Sequence, residues 1–301
     1  MRTMTRPPVH RFRHFAAIDW SGAAGERHKG IAIALCGVDG SAPALVRPGH
    51  RWSRQEALDW LLDAMPADTL VGLDLGLSLP FADCGAFFPG WAHSPPDARA
   101  LWAMVDATCS DDAHLAVSSF VDHDETNRYF RRHGGREGAQ FHAPDAADRR
   151  GRFRVTEREQ ARMGCKPYSN FNLVGAAQVG KSSLSGMRVL HRLAGRLPVW
   201  PIDPLPARGS ALVEIYTTIA ALEAGRPAAK SKMRSHAELN KALEALDSPP
   251  VPGAGAIDDH STDALVTAAW LRNAADRTEL WHPRAMTGDI ARTEGWTFGV
   301  P

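Results

Sequence analysis

Three short apolar runs in this chain each carry a single carboxylate, and a buried strand holds an ionised acid only at a cost. The first run is 15–19, Phe-Ala-Ala-Ile-Asp, followed by a polar, glycine-containing turn and a second apolar run at 30–35. The others are 69–75, Thr-Leu-Val-Gly-Leu-Asp-Leu, and 211–217, Ala-Leu-Val-Glu-Ile-Tyr-Thr. Short apolar runs bounded by turn residues read as buried strands, and the first two form a hairpin pattern. A carboxylate in such a strand must be hydrogen-bonded, paired or bound to a cation. A lone acid there is more often a hydrogen-bonded turn residue than a ligand. Three of them, Asp19, Asp74 and Glu214, point instead to a shared site.

The segments between these strands set the fold class. Residues 42–52 can supply a third strand, and Ser53 with Glu56 predicts a helix opened by a capping box. Ala57, Leu58, Leu61, Leu62 and Met65 give that helix an apolar face. Strands, helix, then strand is a mixed α/β opening. Residues 80–210 read as an insertion rich in Pro, Gly and Arg, with helical patches near 97–108, 124–132 and 173–193. A proline-rich connector, 198–206, leads to the third acidic strand. Helices are expected at 218–224, 235–246 and 258–275, and a short edge strand at the C-terminus. The prediction is an α/β domain over 15–301, a mixed central sheet flanked by helices, preceded by a loose arm over 1–14.

Composition excludes little. The chain has 301 residues and a formal net charge of +1, which favours no partner class. Cys36, Cys84, Cys109 and Cys165 are scattered, without a Cys-x-x-Cys pair, and read as reduced thiols. No run approaches the roughly 18 apolar residues of a membrane span. Arg2, Arg6, Pro7 and Pro8 are not followed by the apolar core of a signal peptide, so a soluble cytoplasmic protein is expected. From 128 to 166, Arg and Lys outnumber Asp and Glu about two to one. Arg131, Arg132, Arg149, Arg150, Arg152 and Arg154 lie among Phe130, Phe141 and Phe153, which suits phosphate contacts with base stacking or, equally, a solvated insertion. Trp20, Trp60, Trp91 and Trp270 read as packing residues.

The last acidic element is 258–265, Asp-Asp-His-Ser-Thr-Asp-Ala-Leu. On a helix, Asp259 and Asp263 share a face, as do His260 and Asp263. Acids brought together from strands and helix would repel and raise one another's pKa. A divalent cation reverses that penalty, and all-oxygen ligation favours Mg²⁺ or Mn²⁺. Two such ions roughly 3.5–4 Å apart can activate water and stabilise a leaving oxygen in phosphodiester hydrolysis.

An Asp-bearing hairpin, a third strand, a helix, a second Asp-bearing strand and a later acidic helix are together similar to the ribonuclease H-like fold. His260-Ser-Thr-Asp263-Ala264 resembles the His-x-x-Asp-Ala ending of Holliday-junction-resolvase-type nucleases. Ile18-Asp-Trp-Ser-Gly-Ala23, Val71-Gly-Leu-Asp-Leu75, Gln178-Val-Gly-Lys181, Gly186-Met-Arg188, Val213-Glu-Ile-Tyr216 and Asp263-Ala-Leu265 resemble a family of predicted nucleases of that fold, domain-of-unknown-function family 429. The resemblance implies metal-dependent cleavage of nucleic acid, DNA or RNA. It makes Asp19, Asp74, Glu214 and Asp263 the expected metal ligands and Asp259 a further acid. His260 would orient water or the leaving group. Lys181 and Arg188 would touch substrate phosphate.

Two other readings compete. Residues 175–182, Gly-Ala-Ala-Gln-Val-Gly-Lys-Ser, match the P-loop pattern letter for letter, which would make the chain an ATPase or GTPase. Only a weak strand, 170–174, precedes the segment, and the apolar run at 211–214 offers Glu where a metal-binding Asp is usual. A non-catalytic nucleic-acid binder would use the Arg-rich insertion alone, yet a binder of polyanions gains nothing from clustered acids.

Overall fold

The computed structural model describes residues 11–143, 150–174 and 179–301. Most of the expected arm, Arg149 and the first four residues of the P-loop-like segment lie outside them. Strands β1 (His14–Asp19) and β2 (Ala32–Gly37) form the expected antiparallel hairpin, with Asp19 opposite Ala32. Only β3 (Ala44–Leu45) forms within 42–52, antiparallel to β2. Pro43 and Pro48 bracket it, and proline has no N–H to extend a ladder.

Helix α1 (Arg54–Asp59) starts on the predicted capping box. Glu56 N donates to Ser53 Oγ at 3.0 Å, and Ser53 N donates to Glu56 Oε2 at 2.8 Å. The helix runs on into a π-helical turn, Trp60–Ala64. Strand β4 (Thr69–Asp74) pairs parallel with β1. Then come α2 (Ala98–Thr108), capped by Asp97, α3 (Ser118–Asp122) and a 3-10 turn, Thr126–Tyr129, where one helical patch was expected. Helix α4 (Val155–Arg162) is followed by α5 (Val179–Arg192). The proline-rich connector contains a two-residue strand, β5 (Val199–Trp200), parallel to β6 (Ala211–Glu214), which in turn is parallel to β4. The remainder is helical: α6 (Thr217–Glu223), α7 (His236–Ala245), α8 (Asp259–Ala274), α9 (Thr278–Trp281) and α10 (Gly288–Thr293). At the C-terminus Thr297 makes an isolated bridge to Glu214 in place of an edge strand.

The six strands lie in the order β3-β2-β1-β4-β6-β5. Successive side chains on a strand alternate between faces, and the sheet accordingly carries two cores. Ala16, Ile18, Val71, Leu73 and Leu212 face one, closed by apolar residues of α1, α2 and α5. Phe15, Ala17, Leu70 and Val213 face the other, closed by α6, α7 and α8. Residues 80–210 are thus not an appendage, because they supply a sheet strand and two of the helices that cover one face. Trp20, Trp60 and Trp270 are buried in these cores and Trp91 packs against one. The four cysteines are unpaired. No described helix is long and apolar enough to cross a membrane.

Candidate active site at the strand ends

Asp19 and Asp74 are the last residues of neighbouring parallel strands and are direct register partners. Alternation puts both on the face of Phe15, Ala17 and Leu70, the face covered by α8. Helix α8 starts on Asp258, whose Oδ1 accepts from Ser261 N at 2.9 Å. Its first turns bring two more expected residues over the strand ends. His260 Nδ1 is 2.6 Å from Asp19 Oδ2. Asp263 is ion-paired with Lys232, which comes from the connector ahead of α7. Thr217 Oγ1, at the start of α6, donates to Asp74 Oδ2 at 3.3 Å.

The charges in this cluster act on one another. Burial, and then the charge of Asp19, push the Asp74 carboxyl well above the usual carboxylate range. Burial raises Asp263 to about 7, with Asp19 adding to the rise and Lys232 opposing it. Burial works against the Lys232 ammonium, yet Asp263 and Asp19 hold its pKa above that of an ordinary lysine. The hydrogen bond to Asp19 raises His260. Asp19, Asp74, His260 and Lys232 line a cleft of about 710 Å³ just beyond the strand ends, the crevice where open α/β sheets commonly bind ligands.

Other expected site residues are already held by internal partners. Glu214 lines the same cleft with Arg154 and Glu157, but it leaves its strand on the face of Leu212, opposite to Asp19 and Asp74. Its two oxygens accept from Arg154 at 2.6 and 2.8 Å, from Leu77 N at 2.7 Å and from the Thr297 hydroxyl. Four donors fill the ordinary acceptor positions of a carboxylate, so Glu214 is an internal anchor and not a metal ligand here. Arg188 is likewise buried, bonded to Asp106 at 2.8 Å and to the carbonyls of Asp112 and Ala116. Buried and bonded in this way, it is not open to a ligand in the cleft. Asp259 reaches Arg234 at 3.2 Å. Burial opposes its charge, but Arg234 outweighs this and its pKa stays below the usual range.

Lys181 makes no ion pair or hydrogen bond among the described residues. It lines a second cavity of about 230 Å³ that meets the cleft at Gly22 and Ala23. Arg54 lines the same cavity and holds the loop after Asp19 through the carbonyls of Ser21 and Ala23. The P-loop reading lacks its frame here. Residues 170–174 form a turn and an isolated bridge instead of a strand. A Cβ on Gly180 would stand 2.5 Å from the Asn170 carbonyl oxygen, so this glycine serves close backbone packing.

The Arg-rich segment also turns inward. Arg152 is buried against Asp83 and three carbonyls, Arg154 is buried beneath β6, and Phe130 and Phe141 lie in a core. A surface of interleaved arginines and rings is therefore not formed by these four residues. Sequence reasoning missed Lys232, Arg54 and Thr217. Only Thr217, three residues after an acidic strand, carried any positional signal.

Among the described residues no group of three or more His, Cys, Asp or Glu side chains stands in a metal-holding arrangement. Asp263 is turned to Lys232 and Asp19 to His260. Among the described residues, the hydrogen bond to Asp74 comes from the Thr217 hydroxyl, and its register neighbour is Asp19. Two buried carboxylates side by side favour a proton on one of them or a cation between them, and their hard oxygens suit Mg²⁺ or Mn²⁺. No family model, curated protein or solved structure matches the chain.

Proposed function

We propose that the chain is a divalent-metal-dependent hydrolase of phosphodiester bonds in nucleic acid, built on a ribonuclease H-like sheet. One observation carries the reading: Asp19 and Asp74 end adjacent parallel strands side by side, with His260 and Asp263 delivered to them by the first turns of α8. The strand order, with antiparallel β2 and β3 on one side of β1 and parallel β4 on the other, supports the fold assignment.

Asp19 and Asp74 would hold Mg²⁺ or Mn²⁺, which when bound lowers the pKa of water and offsets charge on phosphate. The protein's own groups do the rest. His260 is fixed by its Nδ1 contact with Asp19, which leaves its other ring nitrogen to take up or deliver a proton. Lys181 and Arg54 line the adjoining cavity, where Lys181 offers its ammonium to a phosphate one step along the strand.

The decisive experiment is cleavage of single- and double-stranded DNA and RNA by wild type and Asp19→Asn with Mn²⁺ and with chelator. The expected result is metal-dependent cleavage that falls at least 100-fold in the variant. Equal cleavage by Asp19→Asn in Mn²⁺ would refute the function.

A further inference from the structure

The five acids expected at the site, Asp259 the spare among them, are not all available. Glu214 lies on the other face of the sheet with its oxygens filled. Asp259 is held by Arg234. Three carboxylates remain, Asp19 and Asp74 lining the cleft and Asp263 beside it, bonded to Lys232. The Lys232 charge acts on all three acids, and its side chain, half-exposed, reaches the cleft from a connector and not from the rigid sheet.

We infer that the site takes a single divalent ion, on Asp19 and Asp74, and that Lys232 supplies the second positive charge that a two-ion site would draw from another metal. The inference rests on the hydrolase reading above. Charge balance favours it. Three carboxylates are neutralised by one dication and one ammonium, whereas two dications beside Lys232 leave a surplus. Ligand supply favours it too, because a second ion needs the Asp263 oxygen that Lys232 occupies. An ammonium has three donors and no acceptor. With one donor on Asp263, two are left for oxygens of the scissile phosphate, where charge builds as the bond to the leaving oxygen breaks. Lys232 thus acts by hydrogen bonding and charge; it takes no part in bond making.

The test counts ions. Metal-free wild type, Lys232→Met and Lys232→Arg are titrated with Mn²⁺ by calorimetry, and the bound ion is counted independently by equilibrium dialysis. Wild type and Lys232→Arg are expected to bind one ion per chain. Lys232→Met is expected to bind two, because Asp263 is released. In cleavage assays kcat is expected to fall about 100-fold in Lys232→Met and by less than tenfold in Lys232→Arg.

Two ions on the wild type, or one ion on Lys232→Met with kcat unchanged, overturn the inference and leave a metal-dependent nuclease standing. No bound ion and no cleavage in the wild type remove the hydrolase reading, and this inference with it. If Lys232→Met does not fold, the wild-type count decides: one ion supports the assignment and two reject it.

Discussion

Asp74 and Glu214 look equivalent along the chain, each an acid closing an apolar strand, and the fold separates them by parity alone. Leu73 and Glu214 are register partners, so Glu214 shares a face with Leu73 and not with Asp74. Counting by twos from a known core residue would have shown this, but the pairing of β4 with β6 is not written in either strand. Beside Glu214, the Glu157 carboxyl is raised to about 7, chiefly by burial, with Arg154 opposing. The folded protein therefore keeps a proton that the unfolded chain releases near pH 4.5. Its stabilising effect is complete below about 4.5 and disappears as pH rises through about 7. Stability should fall across that window by up to about 1.4 kcal/mol per pH unit for this one proton. Asp74 and Asp263 act in the same direction. Glu157→Gln should flatten the fall without removing it, as read from urea melts between pH 4 and 8; an unchanged slope would show that Glu157 titrates normally. Lys232 was illegible for a different reason: a lysine in a polar connector has the same local sequence whether it ends in solvent or on an acid.

Whole elements were readable where local chemistry decides them. The β1–β2 hairpin follows from two apolar runs about a polar turn, α1 from its capping box, and α8 from Asp258 ahead of a long apolar helix. Elements that depend on distant partners were not. Strand β5 is two residues long and followed by proline, so nothing but its pairing with β6 marks it. Helix α4 starts on Arg154, a poor N-cap by itself, with Glu157 accepting from the Arg154 N–H at 2.7 Å. Helix α5 carries the clearest case of a motif overruled by packing. The backbone N–H of Gly180 donates to the Asn172 carbonyl at 3.0 Å, and an added Cβ would press on the Asn170 and Asn172 oxygens at 2.5 and 2.9 Å. Alanine would gain helix propensity, but overpacking against backbone should win and destabilise by about 1–3 kcal/mol. Gly180→Ala should therefore unfold at lower denaturant, while calorimetry detects no ATP or GTP binding to either protein. Nucleotide binding lost in the variant would restore the P-loop.

At the scale of the molecule, the sheet separates two groups of buried acids. The α8 face gathers Asp19, Asp74 and Asp263, whose partners are a histidine, a hydroxyl and a half-exposed lysine, and the other face gathers acids with every oxygen bonded. Arg154 is the centre of the second group. It is buried, pairs with Glu157 and Glu214 at 2.6 Å, and donates to the Glu294 carbonyl at 2.9 Å. Glu294 in turn accepts from the backbone of Phe81, Ala82 and Val155. One guanidinium thereby ties β6, the loop after β4, the start of α4 and the C-terminal segment. Replacing it leaves buried carboxylates without a counter-charge, a loss of about 3–5 kcal/mol. Arg154→Met should show that loss in urea unfolding at neutral pH, with amides of 294–300 exchanging earliest because their anchor is gone. A double variant, Arg154→Met with Glu214→Gln, should recover part of the loss by removing one unpaired charge. In both, Mn²⁺ affinity measured on the folded fraction should remain within about threefold of wild type, since the proposed cation ligands, Asp19 and Asp74, leave the sheet on the opposite face. A large drop in affinity with intact folding would place Glu214 back among the ligands and contradict the separation of the two faces.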